Sequence, residues 1–402
     1  SLIFIATLNS SAQKAGDRRP RIGLVLSGGG ARGLAHVGVI KVLEEYGIHV
    51  DYIVGTSMGS LVGGLYASGY DAVELEKTAL SIDWGRYLDD RVSRRELSYD
   101  EKQDDGRFII SLPVKKGEGP KLQGIIEGIK LHAFLNRLLF HVRGTADFNE
   151  LPVPFACVAT DIYTGRAVIL NKGHLPTALR ASMAIPSIFT PVEIDGRFLV
   201  DGGLVLNFPV SVAKEMGADI IIGVDVGTPL YKEGDSLSIP EIIDQISSFR
   251  GAESTENQRR LCDILITPEL EGFNSSDFDK TPELIAQGEK AARLHAEELK
   301  ALAEQQNAYR EEPKIIKVDK TPDKIFIKKI RFEGLKNVSK QMIKNRLQLE
   351  VPSYVTIDDI EKGITRVYGS RYFKSVTYRI EQESGADILV IHVEESAMDF
   401  LN

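Results

Sequence analysis

Short, unbroken apolar runs alternate with amphipathic ones over the first three quarters of the chain. Residues 22–26 (Ile-Gly-Leu-Val-Leu) and the run ending Tyr52-Ile53-Val54 have the length and continuity of strands buried on both faces. Each passes through glycines into a run with helical spacing. Residues 155–160, 167–170 and 220–226 read as further strands, the last continuous and rich in β-branched residues. Residues 209–216 read as a helix closed by Gly217, and 282–307 as one long helix. Residues 122–142 place Ile129, Leu131, Leu135, Leu138 and Phe140 at helical spacing, so most of that stretch belongs in the core. Any part left exposed would form an apolar groove or lid. A repeated β-α layout of this kind predicts a three-layer α/β/α domain.

After residue 309 the pattern changes. Prolines 313 and 322 lie among charges and read as a linker. A compact β-α-α-β-β unit follows: strand 325–332, helices capped by Ser339 and by Thr356 with Asp359, then a hairpin of 376–380 and 388–393 turned at Ser384-Gly385. The expected boundaries are a leader at 1–19, a first domain at 20–309, a linker at 310–323 and a second domain at 324–398. The leader begins without Met, and Leu2-Ile3-Phe4-Ile5 followed by small residues up to Ala12 has the form of the tail of a secretory signal peptide. A disordered leader or an extra strand is the competing expectation.

Composition narrows the picture modestly. The 402 residues are 43% hydrophobic and 26% charged, enough for a full core and more than one domain. With 49 basic and 57 acidic residues the net charge is −8, which argues against general nucleic-acid binding. Cys157 and Cys262 sit in apolar runs and read as buried free thiols, not as a disulfide or metal site. No apolar run approaches the ~20 residues of a membrane span. Arg86, Arg91, Arg94 and Arg95 cluster in a charged stretch that reads as a solvated helical face, with anionic headgroups as the alternative.

The candidate chemistry lies at the strand ends. Gly55-Thr56-Ser57-Met58-Gly59 joins a strand to a small-residue helix, the context of a nucleophile elbow: Gly55 and Gly59 permit the tight turn and Ser57 meets the helix N-terminus. Ser27-Gly28-Gly29-Gly30-Ala31-Arg32-Gly33 follows the first strand and exposes backbone N–H groups to an anion. Gly28, Gly30 and Gly33 also fit a dinucleotide loop. However, the acidic residue that loop requires is missing from the end of the second strand, since Asp51 lies at its start. An oxyanion hole is therefore the preferred reading. Asp201-Gly202-Gly203 ends a strand at 197–200 and supplies a candidate general base.

This set of motifs, with the stretch Ala181-Ser182-Met183-Ala184-Ile185-Pro186 through Pro191, resembles the patatin-like phospholipases over about residues 20 to 305. The resemblance implies Ser57 as nucleophile, Asp201 as base, and the N–H groups of Gly28, Gly29 and Gly30 as oxyanion donors. It also implies a phospholipid substrate at a membrane surface and no cofactor or metal. The C-terminal unit, with Phe332-Glu333-Gly334-Leu335 and Tyr372-Phe373, resembles a POTRA domain. The two together look like the patatin-type (type Vd) autotransporters. That likeness implies export to the bacterial outer membrane or cell surface and a β-barrel beyond the POTRA domain, although no barrel-like alternation follows Glu395. A homodimer is the expected association.

On this reading the site is a Ser57-Asp201 dyad, and His36, inside the helix after the glycine loop, has a packing role. Aspartate has a reference pKa of about 3.9 and needs desolvation to act as a base. Arg32 has two readings, a phosphate headgroup contact or a brace for the glycine loop. Asn207, Asp225 and Asp161 lie near strand ends and read as caps or turn residues. A general lipase, esterase or peptidase using the same dyad is one alternative. A chain that acts mainly as an interaction and secretion module is the other.

Overall fold

The computed structural model describes residues 18–87, 90, 126–186, 188–227, 254–309 and 322–396. The leader up to residue 17, Arg91, Arg94, Arg95, the first part of the 122–142 stretch and most of the linker lie outside the described residues.

β1 (Ile22–Leu26), β2 (Tyr52–Thr56), β3 (Phe155–Asp161), β7 (Ile220–Val224) and β8 (Ile264–Ile266) run parallel in the order β3-β2-β1-β7-β8. Antiparallel strands β4 (Arg166–Leu170), β5 (Val192–Ile194) and β6 (Arg197–Asp201) complete an eight-stranded sheet around β3. Both faces are covered, as the unbroken apolar runs require. Leu24, Leu26 and Ile53 point into the larger core, with α1 (Ala35–Glu45) and α2 (Met58–Ala67). Val25 and Val54 point the opposite way, against Phe208 and Val210 at the start of α7 (Val210–Met216). In chain order α3 (Ala72–Ser81), α4 (Trp84–Tyr87), α5 (Ile129–Leu138) and α6 (Leu175–Ser182) come between α2 and α7. The three-layer α/β/α expectation and the observed architecture agree.

The long helix expected over 282–307 is two helices, α8 (Thr281–Arg293) and α9 (Ala296–Asn307), broken at Leu294-His295. Tertiary packing overrides the helical periodicity there. α8 crosses α1 so closely that a Cβ on Gly38 would stand 1.9 Å from the Ile285 carbonyl oxygen, while α9 adds Leu299 and Leu302 to the same core.

β3 exchanges partners along one of its edges. Phe155 to Val158 pair with Ile53 to Thr56 of β2, and Ala159 to Asp161 pair with Asp201 to Leu199 of β6. β4 bonds residues 157–161 of the same strand, so β6 must occupy the edge that β2 has left. β6 therefore enters the slot opened where β2 turns at Ser57, and its last residue is Asp201.

The second unit contains β9 (Ile325–Glu333), α10 (Lys340–Leu347), β10 (Ser353–Val355), α11 (Ile357–Gly369), β11 (Phe373–Glu383) and β12 (Ala386–Glu395), with sheet order β10-β9-β12-β11. The expected β-α-α-β-β order acquires the three-residue strand β10, too short to show a period in sequence. Its helices start as anticipated: the Ser339 hydroxyl accepts the Met342 N–H, and Thr356 with Asp359 forms a capping box.

The apolar 122–142 stretch is not an exposed lid over its described part. Leu131 and Leu135 of α5 join the large core, while Ile129 and Phe140 belong to the core of the second unit. Polar contacts close the same seam. Asn136 Nδ2 donates to the Tyr378 carbonyl at 3.1 Å, Arg137 pairs with Glu361 and Asp358, and Arg143 chelates Asp387 at 3.0 and 3.1 Å while lying 4.0 Å over the Phe140 ring. Phe140→Ala should cost about 3 kcal/mol, the usual loss for a buried aromatic, read by denaturant unfolding. A loss below about 1 kcal/mol would contradict the packing described.

Candidate active site

Ser57 stands at the end of β2, before α2, with φ 53° and ψ −124°. A non-glycine residue in that region persists only when its surroundings over-determine it. A Cβ on Gly55 would lie 2.4 Å from the Gly59 carbonyl oxygen, and one on Gly59 2.3 Å from that of Leu26, so both motif glycines are required by close backbone approach. The Ser60 hydroxyl donates to the Ser57 carbonyl at 2.6 Å, and the Ser57 N–H donates to Ser182 Oγ at 2.9 Å.

The Ser57 hydroxyl donates to Asp201 Oδ2 at 2.6 Å, in a contact where each residue is only 7% exposed. The other carboxylate oxygen accepts the Gly203 N–H at 2.8 Å, and the Asp201 N–H donates to the Ala184 carbonyl. The partner exchange on β3 places these two residues, 144 positions apart in sequence, side by side. A short hydroxyl–carboxylate bond out of bulk water is the arrangement in which an aspartate can draw off a serine proton.

The glycine loop borders the pair: a Cβ on Gly28 would lie 3.1 Å from that of Ser57. Its three amides are not equivalent. Gly28 N–H donates to the Asn207 carbonyl at 3.2 Å, whereas no acceptor among the described residues takes the Gly29 or Gly30 N–H. Of the three amides expected to face an oxyanion, that of Gly28 is thus already bonded to backbone. Asn207 binds the loop twice, since its Nδ2 also donates to the Gly28 carbonyl at 3.1 Å. Read in sequence as a turn residue, it clamps the loop, and its residue type alone carries no signal of that role. Ser182, within the Ala181–Pro191 stretch, is the acceptor for the Ser57 N–H, a contact that its residue type and position do not signal.

Arg32 is 7% exposed. Its guanidinium donates to the carbonyls of Val226 (3.0 Å), Gly227 (3.0 Å), Phe273 (3.3 Å) and Leu270 (3.4 Å). Of the two readings of Arg32, this geometry supports the brace, because donors held by four backbone carbonyls do not face a headgroup. Asp225 similarly anchors the neighbouring strand end, accepting from Arg259 at 2.6 Å and from the Gly227 N–H at 2.9 Å. Asp161 closes a turn by accepting the Tyr163 and Thr164 N–H groups. Asp51 accepts the Ile22 N–H and pairs with Arg19 at the opposite end of the sheet, out of reach of the glycine loop.

His36 is fully buried, and its Nε2 lies 2.8 Å from the Ser27 carbonyl oxygen while Nδ1 has no partner among the described residues. It supports the loop from beneath and makes no bond to Ser57. Burial pushes its pKa down to about 4. Among the described residues no group of three or more His, Cys, Asp or Glu side chains is placed to hold a metal ion, and no helix is long and apolar enough to cross a membrane.

A histidine whose folded pKa lies below its unfolded value contributes stability above about pH 6.5 that is lost as pH falls toward 4, by up to about 1.4 kcal/mol per pH unit. His36→Gln keeps an amide donor for Ser27 and removes the titration, so the slope of unfolding free energy between pH 6.5 and 4.5 should flatten; an unchanged slope would refute the assignment. Arg32→Ala should lower hydrolysis of a phospholipid and of a neutral ester by the same factor, as loss of a brace requires. A loss confined to the phospholipid would restore the headgroup role.

Comparison with known proteins gives the family of each domain. Residues 24–214 match the family profile described as Patatin-like phospholipase, and residues 325–396 match that of POTRA, described as Surface antigen variable number repeat. An uncharacterised NTE family protein of Mycobacterium tuberculosis is 34% identical over 211 residues, 52% of this chain and 50% of that protein. Lysophospholipase NTE1 of Scheffersomyces stipitis is 31% identical over 295 residues, 66% of this chain and 17% of that protein. The chain thus spans half or less of these relatives. Among solved structures, that of VipD from Legionella pneumophila aligns over 72% of this chain and 67% of its own, with a TM-score of 0.40 and 14% identity. The chain carries a patatin-like phospholipase domain followed by a POTRA domain.

Proposed function

We propose that the chain is a serine lipid acyl hydrolase of the phospholipase A type, which cleaves fatty-acyl esters of phospholipids through Ser57 and Asp201. The observation that carries this reading is the buried 2.6 Å bond from Ser57 Oγ to Asp201 at a strained strand-to-helix turn. Asp201 accepts the hydroxyl proton as Ser57 Oγ attacks the ester carbonyl carbon. The carbonyl oxygen becomes the oxyanion, facing the Gly29 and Gly30 amides and the N-terminal end of α2. Collapse of the tetrahedral intermediate expels the alcohol, which takes the proton from Asp201, and leaves an acyl-enzyme on Ser57. Water then repeats the sequence, with Asp201 as base, and releases the fatty acid. No histidine is needed in this scheme, and His36 is committed to Ser27.

The setting of the reaction is part of the proposal. A POTRA domain after the hydrolase domain supports export, with a β-barrel beyond the POTRA unit and the hydrolase held at the bacterial outer membrane or cell surface. A general lipase or esterase with the same dyad is the second reading, since the site defines acyl transfer more narrowly than the acyl donor.

Fatty-acid release from defined phospholipid vesicles tests the proposal. The wild-type chain should release fatty acid, Ser57→Ala should release none above background, and Asp201→Asn should lose at least about 100-fold. Asp201→Asn within a few-fold of wild type would refute the dyad. Cleavage confined to short soluble esters, dependent on Ser57, would establish the second reading instead.

A further inference from the structure

The nucleophile and its acid partner come from different strands, and each has its backbone amide bonded to the same short stretch of chain. The Ser57 N–H donates to Ser182 Oγ at 2.9 Å, and the Asp201 N–H donates to the Ala184 carbonyl at 2.9 Å. That stretch is the C-terminal end of α6, where the helix gives way to a tight turn: Met183 N–H returns to Leu179, Ala184 N–H to Ala181, and Ile185 N–H to Met183. Ser182 and Ala184 are both fully buried.

The hydroxyl of Ser182 has one available orientation. Its proton is donated to the Val158 carbonyl at 2.6 Å, so a lone pair faces the Ser57 N–H. Val158 is the β3 residue paired with Thr56, the last before β3 changes partner from β2 to β6. Ser182 therefore ties the strained elbow to the place where Asp201 is inserted.

We infer that Ser182 is a positioning residue for acyl transfer: its hydroxyl holds the Ser57 amide at the angle that sets Oγ against Asp201. The inference rests on Ser57 being the nucleophile. Without the hydroxyl, the buried Ser57 N–H has no acceptor, a state that costs more than the missing bond. Rotation of the 56–57 peptide relieves it, and the same rotation swings the Ser57 side chain off the carboxylate. A displacement of about 1 Å at reacting atoms costs on the order of 100-fold in rate.

The test compares Ser182→Ala with wild type on a soluble ester and measures the rate at which a fluorophosphonate labels Ser57, located by mass spectrometry. Ser182→Ala should lower kcat and the labelling rate about 10- to 100-fold with KM within about 3-fold, the split expected when an interaction serves the reacting geometry and not substrate binding. Ser182→Cys keeps nearly the same volume with a poor acceptor and should fall between the two; it carries the test if the alanine variant does not fold. Leu179→Ala, buried on the same helix, serves as the structural control and should lower Tm at least as much while leaving kcat within about 3-fold. Unchanged kcat in the folded Ser182 variants, or a kcat loss in Leu179→Ala that scales with Tm in the same way, would overturn the positioning role. Wild-type protein that the probe does not label at Ser57 would overturn the dyad reading and this one with it, whereas equal labelling of wild type and Ser182→Ala would overturn this one alone.

Discussion

The exchange of partners along one edge of β3 is the constraint on which the rest of the site depends. Backbone N–H and C=O groups in a buried sheet must be paired, so when β2 leaves the sheet at Ser57 another strand has to take over the β3 edge. β6 does so in the opposite direction and delivers Asp201 at the point of departure. Gly202 follows at once, because a Cβ there would lie 2.3 Å from the Val158 carbonyl oxygen and 3.0 Å from Thr56 Cγ2. The Asp-Gly-Gly turn is thus a consequence of sheet geometry as much as of chemistry.

Around that junction, polar side chains act as staples between loops. Arg32, Asn207, Asp225 and His36 are turned toward backbone groups of the glycine loop and the strand ends beside it. Each satisfies a buried donor or acceptor that an irregular loop would otherwise leave open, and each narrows the positions open to the Gly29 and Gly30 amides. The proposed oxyanion site would need this rigidity, since donors that reorient during the reaction give back much of what they stabilise.

The two domains meet at α5 and the turn that follows it, whose side chains enter different cores. Ile129 and Phe140 extend the POTRA core, Leu131 and Leu135 extend that of the hydrolase domain, and the Arg137 and Arg143 pairs seal the polar rim. An apolar helix that would be a liability on a lone hydrolase domain is here the seam between two units.

The strands β1, β2, β3 and β7, the capping of the POTRA helices and the three motifs were legible in the sequence because their signals are local. Buried parallel strands are continuous apolar runs, caps fall at defined offsets, and Gly55, Gly59, Gly202 and Gly203 mark places where the backbone comes too close for a side chain. The break between α8 and α9, the strand β10 and the division of the 129–140 stretch between two cores were not legible, because each follows from what lies across the contact. The same holds within the site. Sequence determined that Ser57 and Asp201 are the residues of interest and that a glycine loop accompanies them. Only the tertiary structure decided that Gly28 has its amide occupied by Asn207, that Arg32 faces carbonyls, and that Ser182 reaches the N–H of Ser57. Hydrogen-bond partners 125 to 238 residues apart leave no periodic trace in the chain; they exist only once the sheet has brought its strand ends together.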